Sequence, residues 1–473
     1  MNEISGLTAC PMCDTLYLRA RLKHGQRARC RVCSAELDRH SRLDRRQLTS
    51  LVLSCLLFFI IANVFPIVAI EMQGGVYQLT LSGTLLHLLK EGMLPVAVMV
   101  FLPTLLLPGL YLSLLFVLLV SGRSVLSSRR VNRLVRFLQQ IYPWSMVEVF
   151  LLGVLVAIIK LSSISSIIVG PALWAWMATT MTLTLVLTFD LRLLVQWPTT
   201  GRRADGLRSL GARYHASRPA VPREEEGHRQ GLSNDAHRLV TGQDGHLLTT
   251  AGSVGFCARR LGVITCHHCD STWAEAREGG RCGHCGASLR RRKPGGLGVT
   301  WALLITAMIL YIPANLMPVM TTSTLFGSSD STILSGVVYF WQDGEWVLAA
   351  VIFIASFLIP LFKLGALVLL TALTQARSLW RLRERTHLYD IVEWVGRWSM
   401  LDVFVVAVTS SLVQVPGVAV IRAGPGIAAF GAVVVLTMLA TMSFDPRRAW
   451  DARFSTAYES RRRGQHGRWT QNA

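Results

Sequence analysis

Residues 51–66 read Leu-Val-Leu-Ser-Cys-Leu-Leu-Phe-Phe-Ile-Ile-Ala-Asn-Val-Phe-Pro, an apolar stretch without a charged side chain. With its flanks it can form a helix that crosses a bilayer, which needs about 20 mostly apolar residues. The whole chain shares this character, since 51% of its 473 residues are hydrophobic, 16% are charged and its mean hydropathy is +0.42. Soluble domains carry about 25% charged residues. The composition therefore predicts an integral membrane protein and excludes a soluble enzyme or a mostly disordered chain.

Eight stretches of this kind predict eight transmembrane helices. They lie near 48–70, 94–120, 144–169, 172–191, 297–320, 346–374, 398–421 and 424–443. If the N-terminus is cytoplasmic, 44 of the 48 Lys and Arg residues fall on the cytoplasmic side. This bias predicts that both termini are cytoplasmic, and it accounts for the net charge of +20 without a nucleic acid. Anionic lipid headgroups are the expected counter-charge.

Eight of the ten cysteines form four C-x-x-C pairs, two pairs in each half of the chain. The two sets are Cys10, Cys13, Cys30, Cys33 and Cys266, Cys269, Cys282, Cys285. Two such pairs, 16 or 12 residues apart, have the spacing of a zinc ribbon that closes one tetrahedral site. The reducing cytosol favours thiolates on Zn²⁺ over disulfides. The sequence therefore predicts two structural zinc sites, and a closed site leaves no position for a substrate.

Other interpretations of the cysteines remain open at this point. One is a thioredoxin-like redox pair, which needs a βαβ pattern that the sequence lacks. Another is a rubredoxin-like iron site, because four cysteine ligands alone do not distinguish iron from zinc. The imidazoles of His267, His268 and His284 could compete as ligands, although such knuckle residues more often face solvent. The guanidinium groups of the neighbouring Arg27, Arg29 and Arg31 could offset the net charge of −2 on a zinc ion held by four thiolates.

The chain contains an internal duplication at an offset of about 252 residues. The matching motifs are Cys30/Cys33 with Cys282/Cys285, Asn63-Val-Phe-Pro66 with Asn315-Leu-Met-Pro318, and Trp144-Ser-Met-Val-Glu-Val-Phe150 with Trp398-Ser-Met-Leu-Asp-Val-Phe404. Each half is one ribbon followed by four spans, and an even number of spans gives both halves the same orientation. The repeat is therefore parallel.

These motifs divide the chain into six segments. They are a first zinc ribbon at 1–47, a first four-span module at 48–199, a polar linker at 200–256, a second zinc ribbon at 257–293, a second four-span module at 294–445 and a basic tail at 446–473. The fold class that follows is an all-α polytopic membrane protein with two small ribbons.

The ordered set of motifs resembles the paraquat-inducible protein A family. The elements that carry the resemblance are CPMC/CRVC and CHHC/CGHC before the spans, the Asn-x-x-Pro end of each half's first span, and the WSM-[V/L]-[E/D]-VF entry to the third. The resemblance implies tetraspanin-like modules in the bacterial inner membrane. It also implies a periplasmic MCE-domain partner that forms a tunnel toward the outer membrane and carries phospholipids.

Polar side chains within the predicted spans are candidates for a transport site, because charge in hydrocarbon is costly and tends to be functional. The second half has the fuller set: Ser356, Lys363, Ser399, Asp402 and Thr437. We expect Asp402 to pair with Lys363, either to relay a proton or to switch helix packing; a static polar clamp is the alternative. The first half has Thr104, Tyr111, Ser145, Glu148 and Thr182 at the equivalent positions. Without the lysine, Glu148 has no obvious partner.

The sequence contains none of the motifs of a Walker phosphate loop, a G-x-S-x-G nucleophile elbow or an H-E-x-x-H zinc helix. We therefore expect a non-enzymatic protein. The family resemblance implies that it passes phospholipids between the inner membrane and an MCE-domain tunnel. The alternatives are a zinc- or thiol-responsive membrane signalling protein, in which the ribbons are sensors, and a proton-coupled exporter of small molecules.

Overall fold

The computed structural model describes residues 2–3, 7–18, 26–39, 45–187 and 258–453, with short gaps inside the last two ranges. The gaps are 73–74, 91, 122–127, 163–165, 260–261, 275–276, 284, 325–326, 345, 397, 399–402, 408–413 and 416–418. The predicted linker at 200–256, most of the predicted tail, and both Ser399 and Asp402 therefore lie outside the described residues.

Helices, most of them apolar, dominate both halves. In the first half they are α1 Arg45–Val64, α2 Leu81–Lys90, α3 Leu94–Phe101, α4 Leu107–Val120, α5 Ser128–Ile141, α6 Val147–Ser162 and α7 Pro171–Leu187. In the second half they are α8 Gly296–Leu316, α9 Ile333–Gln342, α10 Trp346–Phe353, α11 Ile359–Gln375, α12 Leu382–Val395 and α13 Pro425–Ser443. Six helical stretches of the described chain are long and apolar enough to cross a membrane, and α7 is a shorter apolar helix. The prediction of a mostly helical, multi-pass membrane protein is confirmed.

A single π-helical turn interrupts the second long helix of each half. Leu102–Leu106 joins α3 to α4, and Ile354–Leu358 joins α10 to α11, 252 residues further along the chain. Pro108 and Pro360 follow shortly after these turns and lack the amide hydrogen of a regular helix. Single π turns are rare and occur often at functional sites. The duplication has thus preserved an irregular backbone feature together with the apolar pattern.

Fourteen short strands accompany the helices in the described residues. They are β1 Asn2–Glu3, β2 Leu7–Ala9, β3 Leu16–Leu18, β4 Arg27–Arg29, β5 Glu36–Arg39, β6 Val68–Met72, β7 Gly75–Leu79, β8 Ser166–Val169, β9 Val263–Thr265, β10 Thr272–Ala274, β11 Met320–Thr324, β12 Gly327–Ser331, β13 Gln414–Val415 and β14 Ala419–Ala423. In each half, a hairpin follows the first long helix and pairs antiparallel with a strand that precedes the last one, giving the strand orders β7-β6-β8 and β12-β11-β14-β13. A small sheet therefore closes each half at the helix ends remote from the ribbons.

These sheets correct the sequence prediction. The stretches predicted as spans at 48–70, 144–169, 297–320 and 398–421 all run past a helix into a strand, so the chain is not purely α-helical. A short apolar run has the same hydropathy in a strand as in a helix, which is why the hydrophobic pattern alone extends the helices too far. The remainder of 398–421 lies largely outside the described residues, apart from a short helical segment at 403–407.

The two halves pack directly against each other. Phe150 and Phe404 occupy equivalent positions of the repeat, are fully buried and meet edge to face with ring centroids 5.7 Å apart. Beside them, Met99 of α3 lies so close to Gly431 of α13 that a Cβ at Gly431 would lie 2.1 Å from the Met99 sulfur. One cluster of buried apolar side chains includes residues of both halves. The halves therefore share a core.

A glycine begins the last long helix of each half. The amide of Gly170 donates to the carbonyl of Ile67 at 2.9 Å, and the amide of Gly424 donates to that of Val319 at 2.8 Å. A Cβ at either glycine would lie 2.2 Å from a proline carbonyl oxygen, that of Pro66 or Pro318. Only a residue without a side chain allows the first and last helices of each half to approach this closely.

We predict that Gly170→Ala and Gly424→Ala each destabilise the protein by about 1–3 kcal/mol, because the added methyl group must displace backbone. The matched control is Gly365→Ala in α11, where a Cβ would meet open space, and where alanine favours the helix. Thermal unfolding of the three variants in detergent measures the effect. Wild-type melting of Gly170→Ala and Gly424→Ala would show that the helices do not approach in this way.

Candidate metal centres and the buried lysine

All four C-x-x-C pairs fold into the same turn. In each turn, the amide of the first cysteine donates to the carbonyl of the residue five positions later, as from Cys10 to Thr15 and from Cys266 to Ser271. The carbonyl of the same cysteine accepts a hydrogen bond from the amide of the residue four positions later. The residue after the second cysteine has a positive φ in every case: Asp14, Ser34, Asp270 and Gly286. Each turn, which we call a knuckle, thus directs two thiols to one point.

The knuckles bring the eight predicted cysteines together in two sets of four. Within each set, all the sulfur atoms lie within 4.8 Å of one another and all the cysteines are buried. The closest pairs are Cys10–Cys33 at 3.4 Å, Cys13–Cys30 at 3.5 Å, Cys266–Cys285 at 3.4 Å and Cys269–Cys282 at 3.6 Å. A tetrahedral zinc ion with Zn–S bonds of about 2.3 Å places its sulfurs about 3.8 Å apart. Both sets of four sulfurs therefore fit a tetrahedral metal ion, and the sequence predicted the cysteines of each set.

Electrostatics favours a cation at these points. Sulfur–sulfur hydrogen bonding with Cys10, Cys30 and Cys33, together with burial, raises the pKa of the Cys13 thiol well above its ordinary value. Four crowded sulfurs cannot all ionise unless a positive charge lies between them. The resulting site is closed, and its chemistry is that of a structural metal.

The histidines beside the second set have partners other than a metal. The ring of His267 lies 2.9 Å from the guanidinium of Arg447, and burial together with this cation lowers its pKa to about 4. His268 contacts the side chain of Gln139 through its ring and its carbonyl. His284 lies outside the described residues. Sulfur alone makes up both groups of candidate metal ligands in the described chain.

Each ribbon docks on the other half of the protein. Leu382 of α12 and Trp450 pack into the apolar cluster formed by the first set of cysteines, and the Arg383 guanidinium donates to the carbonyls of Arg31 and Val32. The second ribbon contacts α5, where Arg136 donates to the carbonyl of Cys285 at 2.6 Å. The ribbons are thus exchanged between the halves, which spacing along the chain does not reveal.

Lys363 is the most unusual side chain of the helical region. It lies on α11 with 1% of its surface exposed, and among the described residues its ammonium nitrogen has no hydrogen-bond partner. Its side chain rests on Gly396 at the end of α12, where a Cβ would lie 3.0 Å from the Lys363 nitrogen. A cation near the carbonyl end of a helix is favoured by the helix dipole. The first half has the buried Tyr111 at this position.

The remaining predicted polar residues have different environments. Ser356 lies in the π turn and is buried, and its hydroxyl has no partner within the described part of the chain. Thr437 is buried on α13, and its hydroxyl donates to the carbonyl of Val434. Ser399 and Asp402 lie outside the described residues, so the expected Lys363–Asp402 pair stays a prediction.

The first half corrects one expectation. Glu148 does have a partner, because the hydroxyl of Thr184 on α7 donates to its carboxylate at 2.9 Å. Both side chains are exposed on the helix surface, unlike Lys363. In the first half, Thr104 occupies the position equivalent to Ser356, and its hydroxyl donates to the carbonyl of Val100. The hydroxyl of Ser145, by contrast, is buried and has no partner within the described residues.

We predict that the purified protein contains about two zinc ions per chain, because each four-sulfur set fits one ion. Changing Cys10 and Cys13 to serine removes one ion, and changing Cys266 and Cys269 to serine removes the other. Elemental analysis by mass spectrometry measures the content, and the unpaired Cys55→Ser is the matched control. Iron in place of zinc, or a folded protein free of metal, would contradict this assignment.

We further predict that Gly396→Ala displaces the Lys363 ammonium, since the new methyl group would lie 3.0 Å from it. The nitrogen must shift by a few tenths of an ångström, so we expect the ¹⁵N chemical shift of a selectively labelled Lys363 to change. Gly365→Ala, on the same helix as the lysine but facing open space, is the control. Identical Lys363 signals in both variants would show that Gly396 does not support the side chain.

Comparison with known proteins agrees with the motifs. The model of the family described as Paraquat-inducible protein A matches residues 46–197 and 297–453. The chain is 33% identical over 452 residues to Intermembrane transport protein PqiA of Escherichia coli (strain K12), and the alignment covers 95% of this chain and 97% of that protein. It is 27% identical over 443 residues to Lipophilic envelope-spanning tunnel protein A of the same strain, covering 94% and 91%.

A third relative, named Probable intermembrane transport protein, comes from Haemophilus influenzae and is 36% identical over 169 residues, which is 36% of this chain and 41% of that protein. No solved structure matches the chain. The family model covers most of the two helical halves, and the two Escherichia coli relatives align over nearly the whole chain. The chain therefore belongs to the paraquat-inducible protein A family.

Proposed function

We propose that this protein is the inner-membrane subunit of an envelope lipid-transport system, which passes phospholipids between the inner membrane and a periplasmic MCE-domain tunnel. Its relatives are named for intermembrane transport, which suggests envelope transport without enzymatic chemistry. Another relative is named a lipophilic envelope-spanning tunnel protein, and none of the names mentions phospholipid or an MCE domain. The lipid and the tunnel follow from the family resemblance, and one feature of the helices supports them.

That feature is the buried ammonium of Lys363. A charged group inside a membrane helix costs several kcal/mol unless it is paired, so it is retained where transport or relay needs it. Lys363 lies on the helix that follows the π turn containing Ser356, and the Ser356 hydroxyl also has no partner among the described residues, so this helix presents two polar groups free to bind. An anionic phosphate headgroup is a suitable partner for both, because the ammonium supplies charge and the hydroxyl donates a hydrogen bond.

In this proposal Asp402 balances Lys363 when no headgroup is bound, and Ser399 and Thr437 orient the pair. A carboxylate and an ammonium in low dielectric attract strongly, and an entering phosphate competes for the same cation. The second module is then the transporting half. The first module, which has Tyr111 in place of the lysine, serves mainly as its scaffold.

The remaining assignments follow the same scheme. Eight spans form two tandem modules with both termini in the cytoplasm, as the distribution of Lys and Arg favours. The zinc ribbons are then cytoplasmic and structural. The small sheets at the opposite helix ends face the periplasm, where the MCE-domain partner docks.

We predict that Lys363→Met lowers lipid transport at least about tenfold, which corresponds to about 1.4 kcal/mol, and leaves the metal content of the ribbons unchanged. Methionine fills a similar volume without the charge. The measurement is transfer of isotopically labelled phospholipid from vesicles containing the protein to its co-purified MCE-domain partner. Tyr111→Phe at the equivalent position of the first half is the control and should transport normally.

Purification from the native envelope in mild detergent tests the system itself. Mass spectrometry should find an MCE-domain protein in stoichiometric amount together with bound phospholipid.

Normal transport by Lys363→Met would remove the lysine from the mechanism and leave it as a structural clamp. Absence of both partner and phospholipid would contradict the transport proposal and favour a zinc- or thiol-responsive signalling protein.

A further inference from the structure

An ionic junction joins both ribbons to the chain that follows α13. Its members are Asp14 from the first knuckle, Arg292 at the end of the second ribbon, and Asp445, Arg447 and Asp451. The guanidinium of Arg292 donates to Asp14 at 3.0 Å and to Asp451 at 2.5 Å. The side chains of Asp14, Asp445 and Arg447 are each less than 10% exposed. These ion pairs are therefore largely removed from water.

Arg447 lies between the two metal sites. Its guanidinium is 3.9 Å from the carboxylate of Asp14, 2.9 Å from the ring of His267 and 3.2 Å from the carboxylate of Asp445. Asp14 directly follows the ligand Cys13, and His267 directly follows the ligand Cys266. One guanidinium thus contacts the neighbour of a ligand in each four-sulfur set.

The backbone connects the ribbons as well. Strand β1 pairs antiparallel with β10, so the beginning of the chain completes a sheet of the second ribbon. The amide of Ala258 donates to the carbonyl of Asp14 at 3.0 Å, and the hydroxyl of Thr272 donates to that of Leu7 at 3.0 Å. Each ribbon therefore holds part of the other in place.

This arrangement has an energetic consequence. A small ribbon keeps its knuckles only while its metal is bound, because binding and folding are coupled. If one ribbon unfolds, Arg447 and Arg292 lose a partner while they remain among other buried groups, and an unpaired buried charge is strongly destabilising. The remaining ribbon is then destabilised, because its contacts depend on the same two guanidinium groups. Metal binding at one site must then strengthen metal binding at the other, and the effect is reciprocal.

We propose that Arg447 and Arg292 are positioning residues that make metal binding by the two ribbons cooperative, so that the two sites gain and lose their ions together. The proposal concerns the ribbons and the end of α13, and it does not depend on what the helices transport.

The test is the rate of zinc release from the purified full-length protein into a chromophoric chelator. The Cys10→Ser/Cys13→Ser variant retains only the second site, and Cys266→Ser/Cys269→Ser retains only the first. If the sites were independent, the wild-type release curve would equal the sum of these two curves. We expect the first ion to leave the wild-type protein at least about tenfold more slowly than it leaves the single-site variant, a factor within the roughly 5–150-fold range of coupled sites. The second ion should then follow at the rate of the single-site variant.

Arginine variants assign the coupling to the junction. In Arg447→Met/Arg292→Met, the release curve should equal the sum of the single-site curves measured with the same two substitutions. Arg383→Met is the matched control, because Arg383 contacts carbonyls of the first ribbon from α12. We expect the control to alter release from the first site and to preserve the cooperativity.

Native mass spectrometry provides a measurement that needs no cysteine variants. During partial chelation, the wild-type protein should pass from two ions to none with little one-ion species, whereas Arg447→Met should accumulate that species. An additive wild-type release curve, or an abundant one-ion species in the wild-type protein, would overturn the proposal. Retained cooperativity in Arg447→Met/Arg292→Met would show that the arginines do not carry it.

Discussion

Inside a hydrocarbon layer, a backbone amide or carbonyl has no water to bond, so each must find a partner within the protein. Helices meet this requirement over most of the apolar chain. Where a proline or a helix end leaves a carbonyl without its helical partner, another part of the chain donates a hydrogen bond to it. The amides of Gly170 and Gly424 bond to the chain just beyond the first long helix of their own half. Short antiparallel sheets then pair the segments between helices, so the ends of each half are also hydrogen-bonded.

Several features were predictable from the sequence because they depend on local patterns. Apolar length and the scarcity of charge identify membrane helices, and the C-x-x-C spacing identifies the cysteines that converge at both candidate metal centres. The positive φ of Asp14, Ser34, Asp270 and Gly286 follows from the same knuckle, although only Gly286 signals it by residue type. The strands β8 and β14 were missed because their apolar residues continue the hydropathy of the preceding helix.

Other features depend on contacts between distant parts of the chain. The π turns at Leu102–Leu106 and Ile354–Leu358 leave no clear trace in composition, since their apolar residues suit an ordinary helix equally well. The exchange of ribbons between halves depends on surfaces such as Leu382 and Trp450, which read as ordinary amphipathic residues. The arginines that link the knuckles lie far along the chain from Asp14. No single-sequence pattern connects such positions.

The exchanged ribbons also impose an order on biosynthesis. Trp450, which covers the first set of cysteines, is made 417 residues after Cys33, and at about 5–20 residues per second this delay is roughly 20–80 s. The first four thiols must therefore await their permanent cover while the whole membrane region is inserted. An ion captured early would shield the thiols from oxidation and mispairing during this interval.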